Sequence, residues 1–147
     1  MKLFYTLPSA LLFVTGLSSP LHTNNDYFPV DLPPPDNWIA GPRIFPSQVL
    51  PNGGFHADYD KYNADTWAEY VNSQCENLDG RSTISFAAIN SGSSPKCLFW
   101  FGYCFGVSST PDDYKRDINP QNAVQGSRAF TTLGQDETFM RLQRQLN

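Results

Sequence analysis

The sequence predicts a small α+β domain, an antiparallel sheet with helices packed on one face, preceded by a proline-rich irregular arm. Three observations lead there. Residues 19–54 hold eight prolines, Pro33-Pro34-Pro35 among them, and little apolar periodicity, which favours extended or irregular backbone without a core of its own. Residues 66–78 carry apolar side chains at helical spacing, and residues 82–89 alternate as a strand does. The chain therefore divides into a leader at 1–18, the arm at 19–54 and a folded domain at 55–147.

The leader reads MKLFYTLPSALLFVTGLS: one Lys, an apolar stretch from Leu3 to Leu17, then small residues. This is the three-part form of a secretory signal peptide. Gly16 and Ser18 supply the small residues that a signal peptidase needs, so cleavage is expected between Ser18 and Ser19. A buried N-terminal helix is the competing reading, and Pro8 and Gly16 both weaken it. Loss of the leader removes Lys2 alone among the charged residues and leaves 129 residues at net −5.

The arm ends at Asn52-Gly53-Gly54, a strong turn signal. Trp38, Ile39 and Phe45 are the side chains that could lay it over the domain. No paired basic residues in it mark a propeptide. The only Lys-Arg pair, Lys115-Arg116, falls in the folded region and reads as a solvated charge pair.

Within the domain, Thr66-x-x-Glu69 forms a capping box, with Asn63 and Asp65 as competing caps. Trp67, Val71, Cys75 and Leu78 then make an apolar helix face, and Asp79-Gly80 stops the helix. From Ser82 to Ile89, Ile84, Phe86 and Ala88 fall on one side and Thr83, Ser85 and Ala87 on the other, a strand with one covered face. Cys97 to Val107 (CLFWFGYCFGV) is apolar on both sides, as a central strand requires, with a bulge expected at Gly102. Thr110-Pro111-Asp112-Asp113 opens a short helix with a Thr cap, Pro at the first position and acids at the positive end. Arg128 to Leu133 is a further strand, and Phe139, Leu142 and Leu146 mark a final amphipathic helix.

Export changes the meaning of the three cysteines, Cys75, Cys97 and Cys104. In an oxidising compartment two of them are expected to be bridged, leaving one over. On a straight strand Cys97 and Cys104 lie about 23 Å apart and point to opposite faces. They bond only if the segment folds back as a hairpin, because bridged Cα atoms stay within about 7 Å. Cys75 lies on the apolar helix face, and Cys104 shares a strand face with Leu98 and Trp100. A helix packed there joins Cys75 to Cys104 and leaves Cys97 as a free or buried thiol.

Composition excludes several function classes. Charged residues are only 16% against a usual figure of about 25%. With 10 Lys+Arg against 14 Asp+Glu and no basic cluster, the chain is a poor match for phosphate backbones, so nucleic acid is not an expected partner. No apolar run approaches the roughly 20 residues of a membrane span. No Asn-x-Ser/Thr acceptor for N-glycans occurs. Zinc is not expected without a CxxC, and no other cofactor is implied.

The densest polar cluster runs from His56 through Asp58, Asp60, Tyr62, Asn63 and Asp65 to Glu69. Counted from Asp58, oxygens fall at three positions of a calcium-loop template, but Asn63 stands where that loop needs glycine. A solvated helix entrance is the better reading. His56 with its acids could serve general acid–base cleavage in a small hydrolase such as a ribonuclease. The second histidine, His22, lies in the arm, and no catalytic set of nucleophile, base and orienting group assembles. The aromatic run around Trp100, Phe101 and Tyr103 reads as core, and any part left exposed is a candidate contact surface.

Residues 75–118 present, in order, Val71-Asn72-Ser73-Gln74-Cys75 closing a helix, an alternating strand, Phe101-Gly102-Tyr103-Cys104-Phe105-Gly106-Val107, and Asp117-Ile118. This order resembles the fungal secreted necrosis-inducing effector family, whose members carry an aromatic-Gly-x-Cys-x-Phe-Gly-Val type segment followed by an Asp-hydrophobic helix. Here Cys104 is followed directly by Phe105, one residue short of that pattern. The family's further cysteines, before the domain and near its end, have no counterpart in this chain. The proportions are also similar to those of killer-toxin-like α/β sandwiches. The resemblance implies an extracellular, non-catalytic role in host or competitor interaction and supplies no active-site residue.

Three function classes follow. The first is a secreted effector- or toxin-like protein that binds an extracellular protein or glycan. The second is a small secreted hydrolase built on His56. The third is a structural wall or matrix protein, for which the proline-rich arm speaks and the absence of repeats does not.

Overall fold

A computed structural model describes residues 26–134 and 143–144. The leader with its Ser18–Ser19 junction, His22, and the final helix expected from Phe139, Leu142 and Leu146 lie outside the described residues. In chain order the strands are β1 (Tyr27–Pro29), β2 (Trp38–Ala40), β3 (Val49–Asp58), β4 (Ser82–Ile89), β5 (Leu98–Phe105), β6 (Tyr114–Arg116) and β7 (Gln125–Thr132). The helix α1 (Ala64–Asn77) connects β3 to β4, after a tight turn at Tyr59–Lys61. The fold is α+β, as expected. Five antiparallel strands form one sheet in the order β1-β7-β4-β5-β3, β2 and β6 form a small second sheet, and α1 packs against β4, β5 and β7.

The helix starts earlier than its Thr66 signal. Asn63 is the cap: its Oδ1 accepts the backbone N–H groups of Asp65 at 3.0 Å and Thr66 at 2.9 Å, while Thr66 Oγ1 accepts the Asn63 N–H at 3.0 Å. Thr66 therefore completes the reciprocal pair from the third helical position, and Asn, which caps at least as well as Thr, takes the first. Trp67, Val71 and Cys75 are buried as their spacing implies.

Strand β4 has the expected bounds, but its more completely covered side is the one that looks polar. Thr83, Ser85 and Ala87 are fully buried, whereas on the other side Ile84 is buried and Phe86 and Ala88 only partly so. Helix α1 lies over the first set, and Thr83 Oγ1 donates to Asn72 Oδ1 on that helix at 2.6 Å. A buried hydroxyl with a partner costs little, so polarity is a poor guide to this face.

Strand β5 runs without a bulge. Gly102 pairs in register with both Ser85 and Phe55. Its glycine answers to packing: a Cβ there would stand 2.3 Å from Val71 Cγ2 of α1. The irregularities lie instead on the neighbours, between Val49 and Gly54 on β3 and opposite Ser85–Ala87 on β7.

The described part of the proline-rich stretch is laid over the domain and woven into it. β1 pairs with β7 and β2 with β6, and β3 runs unbroken across residue 54, so the compositional break at 54/55 separates no two units. Asn52-Gly53-Gly54 lies inside β3 and ends nothing. Both sheet edges carry a proline, Pro29 in β1 and Pro51 in β3, the places where a strand loses least by lacking an N–H. The carbonyls of Pro33, Pro34 and Pro35 accept hydrogen bonds from the Arg116 guanidinium, which lies 4.0 Å over the Trp38 ring. Arg116 is thus a clamp on the arm, while Lys115 is the solvated half of that pair.

Candidate functional site

The bridge joins Cys75 on the buried face of α1 to Cys104 on β5, with Cα atoms 5.4 Å apart. The register that puts Cys104 beside Thr83 under the helix makes this possible. Gly80 lies against the bridge so closely that a Cβ would fall 2.1 Å from Cys75 Sγ and 2.2 Å from Cys104 Sγ. Its N–H donates to the Cys75 carbonyl at 2.9 Å and its own carbonyl accepts from the Tyr27 hydroxyl at 2.8 Å. Helix end, bridge and edge strand β1 therefore meet at one residue. Cys97, just before β5, is a free and exposed thiol.

Alternation along β5 divides the aromatic run between two environments. Trp100 faces α1 and is only 3% exposed, packed with Trp67, Val71 and Ala87. It does not belong to a contact surface, because the helix covers it and Tyr59 stacks on it at 5.2 Å. Phe99, Phe101, Tyr103 and Phe105 take the opposite face, where Ile84, Phe86 and Ala88 of β4 join them.

That opposite face is covered over one half only. Ile44, Tyr114 and Val30 pack on Ile84, Phe105 and Ala129. Tyr114 is held by its hydroxyl, 2.7 Å from that of Ser109, and burial pushes its phenol up to about 12. Arg43 and the buried Asp113 pair beneath it, and the hydrogen bond from Arg43 holds the Asp113 carboxyl below the usual carboxylate range. Coverage stops at Phe45, whose ring meets Tyr103 edge to face at 5.0 Å. Beyond it Phe101 and Phe99 continue partly buried, with Phe86 and Phe101 at 6.3 Å. His56 and Asp58 form the β3 border of this open half, opposite Phe101 and Phe99 in register.

Phe101 and Tyr103 are thus the parts of the sequence-derived surface that reach solvent. Phe86, Phe99 and Phe45 extend it. Alternation puts Phe86 on the same side as Ile84, and nothing in the local sequence distinguishes the fully covered end of a sheet face, at Ile84, from the partly covered one.

His56 is exposed, and its cross-strand neighbour is Phe101, a ring with no proton to exchange. Asp58 is paired with Lys61 at 2.9 Å, and Asp65 with Arg128 at 2.9 Å. Among the described residues no three His, Cys, Asp or Glu side chains come together to hold a metal ion. The polar cluster from His56 to Glu69 is distributed over a strand end, a turn and a helix face. Asp117-Ile118 lies in a loop, where Asp117 accepts the N–H groups of Asn119 at 3.1 Å and Val124 at 2.9 Å. Among the described residues no helix is long and apolar enough to cross a membrane.

No protein-family model, no curated protein and no solved structure matches the chain.

Proposed function

We propose that this chain is an exported, effector- or toxin-like protein that acts outside the cell by binding a protein of a host or competitor. The observation that carries the reading is one face of the sheet, where Phe86, Phe99, Phe101 and Tyr103 are only partly buried and the exposed Phe45 stands at the margin. Aromatic side chains are enriched at the centres of protein interfaces because they bury much area at little entropic cost. A sheet is also a rigid base for such a surface, and the Cys75–Cys104 bridge stiffens it from the opposite side.

Three further features support the reading. The leader and the bridge fit an oxidising destination. The resemblance over residues 75–118 belongs to secreted proteins of this kind. The net charge of −5 left once the leader and its Lys2 are removed fits a neutral or basic partner surface better than an acidic one.

The experiment is a binding assay of fluorescently labelled residues 19–147 on intact plant cells and intact fungal cells. Saturable binding to one of them, lost when surface proteins are removed with protease, is the expected result. Cleavage of RNA, glycan or peptide by the wild type that disappears in His56→Ala overturns it in favour of a hydrolase.

A further inference from the structure

On the helix side of the sheet, away from the open aromatic face, a cavity of about 260 Å³ opens among Tyr59, Tyr62, Asn63, Trp100, Gln125 and Gly126. Its walls are set by specific contacts. Trp100 Nε1 donates to the carbonyls of Tyr59 at 3.0 Å and Tyr62 at 3.1 Å, which holds the turn between them against the indole. The Tyr59 ring stacks on that indole at 19° and is itself 41% exposed. The opposite wall is the irregular start of β7. Gly126 has φ +64, and a Cβ there would stand 3.3 Å from Ala64 Cβ and 3.4 Å from Trp100 Cη2. Glycine permits this backbone and lets β7 approach Ala64 and the indole closely, where a side chain would be crowded.

The polar side chains lining the cavity are the amides of Asn63 and Gln125 and the phenols of Tyr59 and Tyr62. Asn63 spends its Oδ1 on the helix cap, so its NH₂ group is what it can offer a ligand. Gln125 is exposed and offers a donor and an acceptor. No Lys or Arg lines the cavity. Asp60 and Lys61 share the bordering turn, and Asp65, paired with Arg128 at 2.9 Å, occupies the first turn of α1, where its carboxylate already serves that helix end.

We propose that this cavity binds one ring of a neutral oligosaccharide. A pyranose offers an apolar C–H face to an aromatic ring and adjacent hydroxyls to amides, which is the pairing that Tyr59, Asn63 and Gln125 present. Its volume lies just below the roughly 300–1,000 Å³ of pockets for drug-sized ligands, a fit for one sugar ring. With no Lys or Arg in its lining, the cavity disfavours uronic acids and sulfated sugars. The proposal is independent of the open aromatic face and of its protein partner.

The test is calorimetric titration of the purified chain with neutral oligosaccharide fragments of chitin, cellulose, laminarin and mannan, and with the acidic fragments of polygalacturonate. Saturable binding of at least one neutral fragment is expected. Tyr59→Ala and Gln125→Ala should each weaken it about tenfold, while Ile118→Ala, on an exposed side chain outside the cavity, should leave it unchanged. Both Tyr59 and Gln125 are exposed, so their truncation does not threaten the fold. The proposal is overturned if no neutral fragment binds, if polygalacturonate binds as tightly as the best of them, or if Tyr59→Ala binds like the wild type.

Discussion

Phe45 and Tyr103 meet edge to face with ring centroids 5.0 Å apart, and at this contact the aromatic face of the sheet passes from covered to open. On one side the chain from Ile44 to Val49 packs down on the core. On the other, Phe101 and Phe99 are only partly buried. A residue of the proline-rich stretch thus sets the edge of the surface proposed to meet a partner.

The approach of α1 to β5 is testable at Gly102. Adding a methyl there forces it into Val71 Cγ2, and overpacking of this kind costs about 1–3 kcal/mol. Gly102→Ala should lower the denaturant midpoint accordingly, and Val71→Ala in the same chain should recover part of the loss. A double-mutant cycle measures this coupling. Independent, additive effects would mean that the helix does not sit on Gly102.

Chain architecture and cysteine chemistry can be read together by mass. Protein collected from culture medium should have the mass of residues 19–147 less the hydrogens lost to one bridge. Non-reducing peptide mapping should recover Cys75 linked to Cys104, with Cys97 as the one thiol that reacts with a maleimide. Replacing both bridged cysteines by Ser should cost about 3–4 kcal/mol, as expected for a separation of 29 residues. A Cys97–Cys104 peptide would instead place a hairpin in the aromatic segment.

Stability should fall at both extremes of pH. Burial pushes the phenols of Tyr27 and Tyr114 up from 10.0 to about 12, so the fold favours their neutral forms. That stabilisation is complete below pH 10 and is lost as pH rises towards 12. Asp113 has the opposite sign: Arg43 lowers its pKa, so its contribution is present above the ordinary carboxylate range and is lost as pH falls below about 4. Denaturant midpoints across pH check this. Tyr114→Phe should flatten the alkaline limb and Asp113→Asn the acid one.

What could be read from the sequence was what is local. The helix from its capping signals, β4 from alternation and the Thr110–Asp113 turn from its cap all depend on neighbours within a few residues. β1 and β3 were hidden because proline argues against strands, and β2 because it is three residues long; all depend on long-range partners such as Tyr27 with Thr132 and Trp38 with Arg116. The role of Arg116 was hidden for the same reason, since the proline carbonyls it serves lie about eighty residues earlier. At the site, Phe101 and Tyr103 were legible as a candidate surface. Trp100 could have been separated from them, because the pairing of Cys75 with Cys104 already puts the helix on the strand face that Trp100 shares with Cys104.

The open aromatic face is tested most directly by a cell-response assay on plant leaf tissue and fungal cells, reading ion leakage against concentration. Three proteins are compared: wild-type residues 19–147, His56→Ala, and the double variant Phe99→Thr with Phe101→Thr, whose substitutions keep strand propensity. Wild type and His56→Ala should act equally, and the double variant should need at least about tenfold more protein for the same leakage. A double variant as potent as the wild type, with its Cys75–Cys104 bridge intact, would contradict the assignment of this face as the surface that acts.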